Sequence, residues 1–310
     1  MSDTNPIFRT LRESAGIRLA LLFGAFFIFL LITSILSVFI NSLPVGDARD
    51  HALIASVIQC LLAFCLPAII LAYFCSDKPA GWLYLTPNIN FKALAGIVIV
   101  YIISLPAMEW LIEWNNNIHF PASMESLEKT FRSWEESNGK IAEILLDAHG
   151  IIPVITGVLI IGVLTGFSEE LFFRGGLQGI FSRTYIGASA SIWLAAFIFS
   201  MMHFQFFGFF PRLIMGVFFG YLLFWTKDIK CSVFAHALNN SIVVIASGLG
   251  FNDNLTTSET TFMPEIPYLP LYSLGLTILF FVCFRSFFFK KEYKSSDIWQ
   301  KRQLPPVSGR

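Results

Sequence analysis

Charge is what this chain most lacks. Asp, Glu, Lys and Arg make up 14% of its 310 residues, where soluble domains carry about a quarter, so a soluble globule is excluded. Neither sign is in excess, with 21 basic and 21 acidic residues. No basic surface therefore argues for nucleic acid as a partner. Cysteine is sparse as well. Cys60, Cys65, Cys75, Cys231 and Cys283 are scattered through apolar segments, odd in number and without a CxxC pair. They read as small buried hydrophobes rather than as disulfides or thiolate ligands. There is no HExxH, no GxSxG around Ser168 or Ser200 and no Ser/Lys pairing, which leaves the common zinc-protease and serine-hydrolase signatures unmet. No internal repeat is visible, which counts against a transporter built from inverted halves.

What the chain has is long apolar runs. Hydrophobic residues reach 55%, with 34 Phe suited to lipid-facing helices, and the mean hydropathy is +0.67. About 20 residues of helix cross the hydrocarbon core. Runs of that kind extend over Leu19–Ile40, Ala52–Cys75 with a bend expected at Pro67, and about Phe91–Leu111. They continue from Ile151 to about Arg183, over Thr184–Met202, Leu213–Thr226 and Cys231–Phe251, and over a last run ending at Phe284. The first is too long for a signal-peptide core, and no small-residue cleavage site follows it.

The pattern predicts an all-α, polytopic membrane helix bundle of about eight transmembrane helices, a single membrane domain across 1–310. Between the third and fourth runs, residues 109–150 are rich in Glu, with apolar residues at Met124, Leu127, Phe131 and Trp134 and again at Ile141, Ile144 and Leu145. That helical spacing predicts an amphipathic insertion on the membrane surface.

An even number of spans puts both termini on one side. Short cytoplasmic flanks carry the excess of Lys and Arg, which assigns Arg9, Arg12 and Arg18, the stretch from Lys78 to Lys92, Arg174 to Arg183, Lys227 with Lys230, and the tail (Arg285, Lys290, Lys291, Lys294, Lys301, Arg302) to the cytoplasm. The acidic insertion and the loop with Asp253 and Glu259 fall outside; Arg49 and Arg212 are the exceptions. The expectation is a multi-pass protein of a plasma membrane, bacterial given the lack of organelle signals, with both termini and the mouth of its site cytoplasmic.

Within the apolar runs a few polar groups stand out, and ionisable residues at membrane depth are functional candidates. Glu169 and Glu170 close the fourth run, with Arg174 four residues beyond. Glu170 and Arg174 share a helix face, so an ion pair is expected there, leaving Glu169, about 100° around the helix, as the reactive carboxylate. His203 ends the fifth run. His236 and Asn240 lie one turn apart in the seventh. A carboxylate, two imidazoles and an amide suffice to activate a water and stabilise a tetrahedral intermediate, the requirements of amide hydrolysis. His51, His119 and His149 fall in loops and read as bystanders.

Three motifs, taken in order, carry a resemblance. Glu169-Glu170-Leu171-Phe172-Phe173-Arg174 fits EExxxR, with Gly175 following. Phe199-Ser200-Met201-Met202-His203 fits FxxxH, and His236-Ala237-Leu238-Asn239-Asn240 fits HxxxN. Over residues 151–250, the expected catalytic core, the chain resembles the CPBP family of intramembrane proteases. That family groups the type II CAAX prenyl endopeptidases with bacteriocin-processing and self-immunity (Abi-like) proteins.

The resemblance implies an endopeptidase in which Glu169 activates water with help from His203, His236 and Asn240 stabilise the oxyanion, and Glu170 and Arg174 support the helix. The expected partners are the bilayer and a peptide or protein substrate presented at the membrane, such as a C-terminal tail. Members of the family have been read both as metal-dependent and as metal-free. The expectation here is no cofactor, since a Glu paired with Arg174 is a poor ligand; a zinc ion on Glu169, His203 and His236 is the alternative. A non-hydrolytic immunity or scaffold protein is the alternative of another class. One geometric problem stands: counted from the cytoplasmic end at about 1.5 Å per residue, His236 lies about 8 Å deep and His203 about 28 Å.

Overall fold

The computed structural model describes residues 14–85, 90–250 and 266–289. Arg9, Arg12, Asp253, Glu259 and the tail from Lys290 onward lie outside the described residues, so their expected placement is not tested. Among the described residues the chain is wholly helical. Eight apolar helices and one amphipathic helix are each longer than ten residues: α1 Ala15–Asn41, α2 Ala48–Cys75, α3 Phe91–Asn116, α4 Glu125–Leu146, α5 Ile151–Phe181, α6 Ala188–Met201, α7 Phe209–Thr226, α8 Ile229–Gly248 and α9 Leu269–Phe289. All the apolar ones except α6 are long enough to cross a membrane. The polytopic helical bundle expected from the sequence is what the chain forms.

Local chemistry sets the helix starts. Ser14 caps α1 by accepting from the Ile17 N–H at 3.4 Å. Asp47 and Asp50 form a reciprocal capping box at the head of α2, with Asp50 N–H to Asp47 Oδ1 at 2.8 Å and Asp47 N–H to Asp50 Oδ2 at 3.4 Å. Each bond satisfies a backbone donor that the first turn of a helix leaves orphaned.

Prolines inside spans are accommodated in two ways. In α2 the backbone widens into a π-helical segment, Cys60–Cys65, directly before Pro67; such a bulge absorbs the carbonyl that proline cannot engage. In α3, beside Pro106, the hydroxyl of Ser273 on α9 steps into the ladder. It donates to the Ile103 carbonyl at 2.5 Å and accepts from the Ala107 N–H at 3.2 Å. Neighbouring hydroxyls satisfy freed backbone groups at membrane depth in this way, and here the exchange ties α9 to α3.

The core forms where α5 is surrounded by α1, α2, α6 and α7. Phe172, Phe173, Leu171, Leu177 and Ile180 of α5 pack with Leu22 and Phe26 of α1, Leu71 of α2 and Phe199 of α6, all nearly inaccessible. On its other face α5 meets α8 at very short range. A Cβ built on Gly166 would lie 3.0 Å from the Ala237 backbone nitrogen, and one on Gly162 would collide with the Ser241 hydroxyl. Small residues let two helix backbones approach in a medium with no hydrophobic force between them. This contact fixes the register of His236 against the two glutamates. Cys60, Cys65, Cys75 and Cys231 are buried and Cys283, on α9, is exposed; none is in a disulfide among the described residues.

The two ends of the bundle differ in charge. At one end Trp82 lies under both Arg183 and Arg18, with guanidinium carbons 3.8 and 5.2 Å from the ring centre; Lys78, Lys227 and Lys230 belong to the same end. At the other lies α4, none of whose residues is fully buried. Its outer face is laced by Glu125–Lys129 and Glu136–Lys140 pairs at 2.7 and 2.9 Å, spaced one turn apart. Helix α3 continues through Glu109 and Glu113 to Asn116, so the amphipathic helix starts only at Glu125 rather than at the 109 boundary expected from composition.

Candidate active site

Glu170 is the hub. Its Oε1 accepts from Arg174 Nη1 at 2.8 Å and from His236 Nδ1 at 2.8 Å. Arg174 also donates through Nη2 to the Gly216 carbonyl of α7 at 2.9 Å. Both members of the ion pair are fully buried. The one-turn spacing of acid and base holds even though α5 passes into a second π-helical segment, Leu171–Gln178, directly after Glu170. A buried pair of this kind depends on further hydrogen bonds; α7 and α8 supply them to Arg174 Nη2 and Glu170 Oε1, while Glu170 Oε2 and Arg174 Nε are buried without a partner among the described residues.

His236 is therefore oriented by Glu170. Because a carboxylate accepts, Nδ1 carries the proton, which turns Nε2 toward Glu169, 3.7 Å from its Oε2. The ring is stacked on Phe219, with centroids 4.9 Å apart and planes at 16°. Sequence spacing assigns Glu170 to Arg174 alone; the structure adds that it sets the tautomer of the histidine beside Glu169. Glu169, with 14% of its side chain exposed, is the more accessible of the two carboxylates.

His203 lies just past the end of α6. Its Nδ1 is 2.8 Å from the Phe199 carbonyl, which can only accept, so Nε2 is left with a free lone pair. The Phe199 ring separates the two histidines, 5.0 Å from His203 and 5.8 Å from His236. The depth problem is eased first by α6 itself. It starts at Ala188 rather than Thr184, which shortens the rise to His203 from about 28 Å to about 22 Å, and the packing of the helices does the rest, since the Phe199 ring contacts both histidines.

The loop after His203 is clamped from several sides. Phe204 adopts a left-handed φ of 53°, which costs a bulky residue about 1–3 kcal/mol and persists only where surroundings impose it. The imposing contacts are plain. Fully buried Asn115 of α3 donates to the Phe206 carbonyl at 3.1 Å and accepts from the Phe210 N–H at 2.9 Å. Glu135 of α4 accepts from the Phe207 N–H at 3.2 Å, and Arg132 lies 3.3 Å over the Phe207 ring. Ser200 ties α6 to α7 through the Phe209 carbonyl at 2.7 Å.

Asn240 lies one turn along α8 from His236. Its amide donates to the Ile161 carbonyl of α5 at 3.2 Å and accepts from Asn239 at 3.1 Å; Asn239 in turn accepts from Tyr101 at 3.4 Å. It braces the α5–α8 contact one turn from His236. As for a metal, no three His, Cys, Asp or Glu side chains among the described residues converge in a way that could hold one. His236 and His203 each commit Nδ1 and leave Nε2 open, and no step is routed through a metal.

Toward the basic end the site is closed, since every residue from Leu171 to Phe181 is buried. Polar groups continue in the other direction, through Arg212 and Gln205 to Glu135 on α4. Spacing missed Arg212, Asn115 and Phe219. Only Arg212 left a signal, as a cation breaking the charge pattern of its end.

Two buried carboxylates and His236 thus meet inside an all-helical bundle with membrane-length helices, with His203 across the Phe199 ring. Residues 151–242 match the family model described as type II CAAX prenyl endopeptidase Rce1-like, consistent with the CPBP intramembrane proteases and supporting a CAAX-type intramembrane protease in general terms. No curated protein and no solved structure matches the chain.

Proposed function

We propose that the protein is an endopeptidase that hydrolyses a peptide bond of a membrane-presented peptide or C-terminal tail by a glutamic, metal-free mechanism. The observation that carries this reading is the pairing of roles on α5. Glu170 is buried and holds Arg174 and His236 through Oε1, while Glu169 remains partly exposed at 3.7 Å from His236 Nε2.

Glu169 takes a proton from water as the water oxygen attacks the scissile carbonyl, and the carbonyl electron pair moves to oxygen. The free Nε2 of His203 assists by accepting a hydrogen bond from the same water, and the proton held by Glu169 passes to the leaving amine as the C–N bond breaks. His236, oriented by Glu170, faces the developing oxyanion, and Asn240 holds α8 at the right register. By the positive-inside rule the basic ends are cytoplasmic, so both described end regions, Ala15 and Arg285, belong to that side of a bacterial plasma membrane.

The test is hydrolysis of an internally quenched peptide by the purified protein in lipid. Glu169→Gln and His203→Ala should lose about 10²–10⁴ in kcat while remaining folded, and a chelator should leave the wild type unaffected. Chelator-sensitive activity refutes the metal-free part. A biological effect that survives Glu169→Gln favours the scaffold alternative.

A further inference from the structure

We propose, resting on the endopeptidase reading, that Glu135 of the surface helix α4 is a positioning residue for catalysis, acting through the Phe207 N–H on the loop that presents His203. The need arises at the head of α7. A 3₁₀ turn, Phe206–Gly208, leads into that helix, and neither start has a side-chain cap of its own, at Gln205 or at Gly208. The first backbone N–H groups of a helix have no partner within it, and a buried donor left unpaired is costly.

Distant helices supply the missing partners. Glu135 accepts from the Phe207 N–H at 3.2 Å, and Asn115 of α3 accepts from the Phe210 N–H at 2.9 Å while donating to the Phe206 carbonyl at 3.1 Å. Glu125 and Glu136 of α4 spend their carboxylates on Lys129 and Lys140 at the outer face. Glu135 is half-buried and forms no ion pair among the described residues; it gives its oxygen to the loop instead. The rings of α4 point the same way. Phe131 stacks on Phe206 with centroids 5.3 Å apart and planes at 15°, and Trp134 meets Phe204 edge-on at 6.2 Å.

His203 directly precedes this stretch and lies past Met201, the last residue of α6, so regular helix geometry does not fix its backbone. Its N–H makes only a long bond, 3.3 Å, to the Ser200 carbonyl, and the chain turns left-handed at the next residue, Phe204. The loop therefore takes its position from α3 and α4. A group that must meet a water and a scissile carbonyl is effective only when its supports are themselves held, and the 3.2 Å bond to Glu135 is the polar tie between that loop and α4.

The experiment uses full-length protein in lipid and one internally quenched peptide cleaved by the wild type. Glu135→Ala should lower kcat about tenfold at unchanged KM, and Glu135→Gln, whose amide oxygen can still accept from Phe207, should recover most of the loss. Losses routed through one group do not add, so Glu135→Ala should cost nothing further in a His203→Ala background. Ser247→Ala, which removes the 2.6 Å bond from α8 to the Leu146 carbonyl at the far end of α4, should leave kcat unchanged. If Glu135→Ala does not stay folded, Phe131→Leu, which removes the ring stacked on Phe206, decides the matter by the same readings. Unchanged kcat overturns the role. So does a full additional loss in the His203→Ala background, or an equal loss from Ser247→Ala, which would make α4 a general brace. A change confined to KM overturns it in favour of a substrate contact. Without Glu169-dependent hydrolysis in the wild type the endopeptidase reading itself falls, and this role with it; such hydrolysis indifferent to Glu135 sinks this role alone.

Discussion

Gly166 is the position where a single methyl group should cost the most activity. Its Cα faces α8, and an added methyl would lie 3.0 Å from the Ala237 backbone nitrogen and 3.2 Å from its Cα. Backbone cannot rotate aside as a side chain can. Carbon contacts relax to about 3.5–4.0 Å, so α8 must recede by about 0.5 Å. His236 is the neighbour of Ala237, and its 2.8 Å bond to Glu170 would stretch to about 3.3 Å, past the usual optimum.

Overpacking of this kind costs about 1–3 kcal/mol, and misplacement of a catalytic group by about 1 Å costs on the order of 10²-fold in rate. Gly166→Ala should therefore melt lower in detergent by that amount and lose about tenfold or more in kcat, and Gly166→Leu should lose nearly all activity. The assay is peptide hydrolysis beside thermal unfolding. A Gly166→Leu protein that folds and cleaves at the wild-type rate would refute the claim that this contact sets the register of His236.

Three further outcomes are expected. Arg174→Met strands the buried Glu170 carboxylate and the Gly216 carbonyl, so unfolding should be easier by about 3–5 kcal/mol, and a loss under about 1 kcal/mol would contradict the pairing. Glu128, on the membrane surface, is held below the usual carboxylate range first by the Phe120 N–H at 2.8 Å and then by His119. Its contribution is complete above its unfolded pKa and disappears as pH falls through the lower folded value, so the turn over 117–124 should resist proteolysis at neutral pH and open in acid, and Glu128→Gln should abolish that dependence. In a Cys283→Ser background, a membrane-impermeant thiol reagent should reach cysteine at Gln205 and at Glu136 from the same side of the bilayer, opposite to cysteine at Lys227. Labelling of Gln205→Cys from the Lys227 side would refute the assigned direction of the site.

Much was legible in the residues alone. The apolar runs located the eight apolar helices to within a few residues, because desolvating a backbone in lipid permits little besides helix. The one-turn spacing of Glu170 and Arg174 anticipated their ion pair. What spacing along one helix cannot report is register between helices. That Glu170 also holds His236 depends on α5 and α8 touching at Gly166 and Ala237, 71 positions apart in the chain by subtraction of those two numbers.

The position of Asn240 against Ile161, and the route from Glu169 toward α4 rather than the basic end, depend on the same packing. Composition and motif thus determined the membrane bundle and the residue types of its site, since burial in hydrocarbon selects both strongly. Only the tertiary structure decided which carboxylate faces which imidazole. Close approach of backbones is a property of two surfaces, and neither helix encodes it alone.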